Sequence, residues 1–400
     1  MGIQNDNLGR DLWCFIIRQG YGGSRLNYTI DDLVSLAKRD NNFVRPYLYV
    51  NPLQGKHIPT IPKNIFDVCR QIATLINCSY PNDKLYVIGF AETATGIAST
   101  VCHYLDNVVF YQNTTREFKN GEEVLNFTES HSHATNQILR ITGIEEHIKE
   151  IERIIIIDDE VTTGNTICKL IDTLKQTIDT TNIHFSIASI LNSMTEEREK
   201  FLSSAGIDCV SLVKIPFEYK KESIMNITHN YDRDLKVVSD NTSDIVITRF
   251  GITVDARSFC RFAEYEEQIS RFTASIIDAL GTEQCERILI VGTEECMYPS
   301  ISLSMAISKS QYAREVKVHA TTRSPIIVSD DEAYPLHYRY QLRSLYDENR
   351  STFIYNLDHY DKVIIVTDAE QLAGGASDLV CALRYVGNDN ILLAKLEYIH

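Results

Sequence analysis

Long apolar runs are missing from this 400-residue chain, whose longest are only strand-sized. A membrane-spanning helix needs about twenty predominantly apolar residues, so none is expected. The amino terminus, MGIQNDNLGRDLW, lacks the apolar stretch of a signal peptide, and Asp6 stands where a myristoylation signal wants Ser or Thr. Basic charge is also in deficit: 39 Lys and Arg against 54 Asp and Glu give 39 − 54 = −15. Nucleic acid and anionic membrane are therefore poor default partners, and an anionic substrate would need a local cradle. The ten cysteines are scattered, with no close pair at metal-ligand spacing, and several fall in apolar stretches. They read as reduced core thiols. These features describe a cytoplasmic protein long enough for two domains, each with its own core.

Against that background, residues 154–166, IIIIDDEVTTGNT, carry the most chemistry. Ile154 to Ile157 are too few and too β-branched for a helix and read as a buried strand, with Asp158 and Asp159 at its carboxyl end. From Asn165 onward, Ile167, Leu170, Ile171, Leu174 and Ile178 repeat with the period of a helix packed on a sheet. In open α/β sheets this strand-to-helix junction is where ligands bind, and the free backbone N–H groups of a helix start favour phosphate. Thr162, Thr163, Gly164 and Thr166 are small enough for a phosphate to approach, while the adjacent carboxylates suit the vicinal hydroxyls of a ribose. The plainer alternative is an acidic helix cap. No Gly-Lys-Ser/Thr ends the segment, so it is not a Walker A loop.

The segment resembles the 5-phosphoribosyl diphosphate (PRPP) loop of the type I phosphoribosyltransferases. That resemblance implies a Rossmann-like, mostly parallel sheet, with Asp158 and Asp159 on the ribose and Thr162, Thr163, Gly164, Asn165 and Thr166 on the 5-phosphate. Upstream, KLYVIGFAETATGIASTVCHYL gives another strand, loop and helix, and Ala91, Glu92 and Thr93 resemble the family's diphosphate-binding loop. Residues 111–137 are polar with few apolar anchors and fit a mobile lid. Within them Arg116 is either a planar fork for phosphate oxygens or a solvated surface arginine. His131 and His133 would share one face of an extended strand; no further metal ligand has recognisable spacing, so they read as diphosphate donors or proton carriers, or as solvated loop histidines.

GFAETATG, HSHAT and TTRSPI at 321–326 together resemble a bacterial phosphoribosyltransferase group with a C-terminal TRSP domain, found in tellurite-resistance and related stress gene neighbourhoods. In this fold the segment before the core sheet forms a hood over the acceptor. Lys56 and His57 are accordingly candidates to meet the acceptor, or else belong to a structural turn.

The second half repeats the first in outline. Pairing Gly89 with Gly292, Thr114 with Thr321 and Asp158 with Asp368 gives offsets of 203, 207 and 210. Either a degenerate duplicate of the first domain or a generic Rossmann-like domain explains this. In a duplicate, Ala369 would replace Asp159 and half of the ribose clasp would be missing; Arg323 and Ser324 would then recognise a second-domain ligand or dock against the first domain. The expected layout is a phosphoribosyltransferase domain with hood over 1–225, a linker over 226–245 and a TRSP-like α/β domain over 246–400.

The resemblance implies that PRPP and a base-like acceptor react with loss of diphosphate, with Mg²⁺ on the diphosphate held only indirectly by Asp158 and Asp159. Asp158, Asp159, Glu160 and Arg116 are the candidate catalytic residues; Glu160 would either activate the acceptor or support its neighbours. The family also suggests a homodimer. A PRPP-sensing regulator or scaffold that keeps the cradle without turnover is the alternative.

Overall fold

The computed structural model describes residues 28–40, 45–118, 121–127, 137–215, 224, 226–239, 245–281 and 284–399. An antiparallel pair, β1 (Ser35–Lys38) and β2 (Tyr47–Val50), precedes helix α1 (Pro62–Ser79). Then come β3 (Leu85–Gly89), α2 (Ala94–Cys102), β4 (Val108–Asn113) and a hairpin of β5 (Val124–Asn126) with β6 (Ile138–Arg140). The first half closes with β7 (Arg153–Val161), α3 (Asn165–Thr177), β8 (His184–Asn192), α4 (Glu196–Ser204) and β9 (Ile207–Lys214). The second runs through β10 (Asp234–Lys236), β11 (Val246–Ile252), β12 (Cys260–Arg261), α5 (Phe262–Leu280), β13 (Cys285–Gly292), α6 (Tyr298–Ser310) and β14 (Ala313–Ala320). It ends with the hairpin β15 (Arg339–Arg343) and β16 (Ser351–Tyr355), then β17 (Lys362–Thr367), α7 (Ala373–Tyr385) and β18 (Ile391–Tyr398).

Both halves are α/β. Parallel strands run β4-β3-β7-β8-β9 in one sheet and β14-β13-β17-β18-β11 in the other. Ile154 to Ile157 on β7 and Val363 to Val366 on β17 are fully buried, because helices cover both faces of a parallel sheet and leave its central strands no polar side. The apolar stripe of α3 buries Ile167, Leu170, Ile171 and Leu174 against the first sheet. On α5, Phe272 and Ile276 pack into the core of the second half, while Ile269 faces the core it shares with the first.

The halves are tied together at their sheet edges, in a reciprocal way. Just before α1, Thr60 bridges Val318 on β14: each N–H donates to the other's carbonyl, at 3.0 and 2.8 Å. Just before α5, β12 pairs antiparallel with β4, Cys260 facing Tyr111. Each half therefore covers the open strand edge of the other, an edge that would otherwise expose unpaired backbone groups. Between them Ile97 and Val101 of α2 join Met297 and Ile301 of α6 in one apolar core. Contact is close at Gly96, where an added β-carbon would lie 2.7 Å from Ile301 Cδ1 and 2.8 Å from Met297 Cβ.

Three expectations change. The span 226–245, expected as a linker, contains β10, which pairs with β15 in a small sheet of the second half. The lid expected over 111–137 is partly the β5–β6 hairpin, anchored by buried Leu125, Phe127 and Leu139; residues 119–120 and 128–136 lie outside the described residues. Strand β7 runs on through the acidic residues to Val161 instead of stopping at Ile157, since Asp158 to Val161 continue the ladder with β8. Among the described residues no helix is long and apolar enough to cross a membrane, and the cysteines are free.

Candidate active site

Asp158 and Asp159 sit on the last part of β7, where the central strand emerges from the sheet. The Asp159 N–H donates to Asp158 Oδ1 at 2.9 Å. Burial raises the pKa of both carboxyls, and the neighbouring Asp159 pushes Asp158 further, well above the usual carboxylate range. The chain then turns through Gly164, whose φ of +67° a side chain would strain, and enters α3 at Asn165. Arg198 on α4 fastens this turn from behind: its Nε donates to the Thr163 carbonyl at 2.8 Å and its Nη2 to Asn165 Oδ1 at 3.0 Å.

A cleft of about 560 Å³ opens in front of the acidic pair. Asp158, Asp159, Glu160, Thr162 and Thr166 form one wall; Ala91, Glu92 and Thr93, at the carboxyl end of β3, form another. Arg116 and His57 also line it. Sequence positions from four separate segments thus meet in one cavity. Thr163, Gly164 and Asn165 shape the turn beside the cleft without lining it, and His131 and His133 lie outside the described residues.

Two placements correct the sequence reading. Lys56 does not face an acceptor: it is fully buried, with Nζ 2.5 Å from Glu92 Oε1 and donating to the Glu294 carbonyl at 2.7 Å. Its role is to fix the loop. Burial alone would raise the carboxyl of Glu92, but Lys56 and Arg323 outweigh it and hold the pKa down at about 2. The second correction concerns Arg323 and Ser324. They do not form a separate ligand site in the second half but line the first cleft. Arg323 Nε donates to Glu294 Oε2 at 2.6 Å, and its backbone N–H reaches Glu92 at 3.2 Å.

Arg116 makes the mirror-image contact, its backbone N–H donating to Glu295 Oε1 at 3.0 Å. Its side-chain Nε is buried without a partner among the described residues, and so is the Nε2 of His57. Burial, followed by the charge of Lys56, lowers the His57 pKa to about 3, so the ring is neutral. Sequence reasoning missed the hood residues Arg39, Arg45, Leu48 and Tyr49, which also line the cleft. Their signal was slight: two arginines, Arg39 and Arg45, flanking a short mixed stretch before β2.

At the corresponding place in the second half the acid is already paired. Asp368, next to the end of β17, is ion-paired to Arg257, and it accepts hydrogen bonds from Tyr346 Oη at 2.5 Å and Tyr398 Oη at 2.8 Å. Burial acts to raise its carboxyl, yet Arg257 and these donors hold it below the usual range. Ala369 follows where the first half has Asp159. A cavity of about 300 Å³ adjoins Asp368, Arg257 and Tyr398.

Two parallel α/β sheets, with an acidic pair at the end of a central strand, define the class to which the comparisons then give a family. Residues 33–215 match the family of phosphoribosyl transferases, and residues 247–383 match the TRSP domain that stands C-terminal to that transferase. The two matches stand in the order of a phosphoribosyl transferase domain followed by a TRSP domain. Among solved structures, the adenine phosphoribosyltransferase of Giardia lamblia complexed with 9-deazaadenine is similar over 48% of this chain and 99% of its own, at 10% identity and a TM-score of 0.35. The Trypanosoma brucei adenine phosphoribosyltransferase in complex with AMP, pyrophosphate and ribose-5-phosphate covers 46% of this chain over 78% of its own, at 13% identity and 0.32. A hypoxanthine phosphoribosyltransferase from Staphylococcus aureus covers 40% over 77%, at 19% identity and 0.26. No curated protein matches the chain.

Proposed function

We propose that this protein transfers the 5-phosphoribosyl group of PRPP to a base-like acceptor and releases diphosphate. The observation that carries the reading is the open carboxylate pair of Asp158 and Asp159, facing the Ala91–Thr93 loop across one cleft, inside a domain matched to phosphoribosyl transferases. In the reaction the bond from C1 to the diphosphate oxygen breaks with its electron pair leaving on oxygen; the acceptor supplies the pair for the new bond and loses a proton. Positive charge develops on the ribosyl ring, and the two carboxylates, holding the ribose hydroxyls, favour it. The turn from Thr162 to Thr166 holds the 5-phosphate at the start of α3. Arg116, which lines the cleft, faces the departing negative charge. Glu160, 2.6 Å from Arg45 Nη2, supports the hood in preference to taking the acceptor's proton.

Hard carboxylate oxygens suit Mg²⁺, which commonly binds through one or two carboxylates and substrate phosphates. The donor set of Asp158 and Asp159 fits an ion carried by the diphosphate, which would supply charge neutralisation there. By family resemblance we assign the activity to the cytoplasm and to the making of a nucleoside-like metabolite linked to stress or tellurite resistance. Release of diphosphate from PRPP by the intact chain, absent in the Asp158→Asn, Asp159→Asn double variant, is the test. PRPP binding without turnover across a broad acceptor panel would instead identify a sensor.

A further inference from the structure

Among the described residues, sorting the charges of the cleft leaves one cation without a task. Glu92 is held by Lys56, Arg323 by Glu294, Glu160 by Arg45, and Asp40 by Arg339 at 2.9 Å. Arg116 faces the diphosphate side. Arg39 remains: it follows β1 on the hood, lines the cleft, and forms no ion pair among the described residues, while its Nε is buried without a partner. A guanidinium cannot shed its charge, and a buried charge without a counter-ion is costly. Its charged neighbours are the hood pair Arg45 and Glu160 and, from the PRPP side of the cleft, Arg116 and Asp159, whose opposite charges offset each other. Two arginines beside one hood carboxylate leave a single positive charge, which matches a monoanion better than a phosphate dianion. Leu48 and Tyr49 of β2 line the same cleft and offer an apolar and an aromatic surface to a planar ring.

We infer that the acceptor is a planar heterocycle bearing a carboxylate, which Arg39, aided by Arg45, recognises. The planar fork of arginine matches a carboxylate with two parallel hydrogen bonds. This rests on the transferase reading above, and the experiment separates the two. Intact protein saturated with Mg²⁺ and PRPP is titrated calorimetrically with matched pairs, orotate against uracil and nicotinate against nicotinamide. In each pair that binds, the carboxylated member is expected to bind at least tenfold more tightly. Arg39→Gln abolishes that preference, Arg39→Lys restores part of it, and PRPP affinity stays within about twofold in both, which also shows that the variants fold. Three results overturn the inference while leaving the transferase reading intact: equal or tighter binding of the uncharged members, no binding of either carboxylated one, or an Arg39→Gln variant that loses PRPP affinity instead. If wild-type protein takes up no PRPP, the transferase reading itself fails and the inference goes with it.

Discussion

The two halves of the chain repeat each other down to single hydrogen bonds, and they part at the acidic strand end, where Ala369 stands for Asp159 and Arg257 for His57. In the first half the Thr114 N–H donates to the Gly89 carbonyl at 2.9 Å and Ala91 N–H to Thr114 Oγ1 at 2.8 Å. In the second, Thr321 N–H donates to Gly292 at 3.0 Å and Glu294 N–H to Thr321 Oγ1 at 3.0 Å. Thr115 bridges Ile138 as Thr322 bridges Phe353. The edge bridges place Thr60 opposite Val318 and Cys260 opposite Tyr111, which sets His57 in register with Arg257. A neutral ring at that position leaves the acidic strand end of the first half open. A guanidinium at the same position neutralises Asp368 in the second. Two halves of like strand order thus differ in the charges at their acidic strand ends, and the second lends Arg323 and Ser324 to the cleft of the first.

The sharpest way to break this comparison is to neutralise the acids separately. Asp158→Asn with Asp159→Asn removes two charge-assisted hydrogen-bond acceptors worth about 1.5–3 kcal/mol each, so PRPP affinity measured by calorimetry should fall at least a hundredfold. Asp368→Asn should leave that affinity within about twofold. Its effect lies in denaturant unfolding: Arg257 keeps Glu295 at 2.9 Å, so the loss is that of one charge-assisted hydrogen bond, about 1.5–3 kcal/mol.

Acid provides a milder probe that acts on both halves. Burial lowers the pKa of His57 to about 3 and of His319 to about 4. Below the ordinary value near 6.5 the unfolded chain binds protons that the folded chain refuses, so stability is full above that pH and is lost as pH falls toward the folded values. At pH 5 each histidine should cost about 2 kcal/mol relative to neutral pH, at about 1.4 kcal/mol per pH unit. A variant His57→Phe should show about half the acid sensitivity in urea midpoints. Smallest is the expected cost of Gly96→Ala, about 1–3 kcal/mol for overpacking the seam against Met297 and Ile301, read as a lowered thermal midpoint.

What the sequence made legible was local. The apolar run of β7, the stripe of α3 and the small-residue turn between them follow from periods of a few residues, and the structure has all of them. The landmarks Gly292, Thr321 and Asp368 likewise mark a second sheet with the strand order of the first. What stayed hidden depends on pairing across long chain separations. Lys56 reads as an acceptor contact or a solvated lysine in a turn, whereas Glu92 and the Glu294 carbonyl hold it buried. Arg323 sits 231 residues from Glu92, and nothing near it in sequence tells which cleft it faces. The fifth strand of the second sheet, β11, comes before the unit it completes, whereas β9 follows β8, so matching the halves in sequence order misses it.

The central claim is that one half binds and the other does not. Isothermal titration of intact protein with Mg²⁺ and PRPP should give one site per chain, unchanged in number by Asp368→Asn and lost with Asp158→Asn and Asp159→Asn. Two sites per chain, or a site that survives the double substitution, would contradict it.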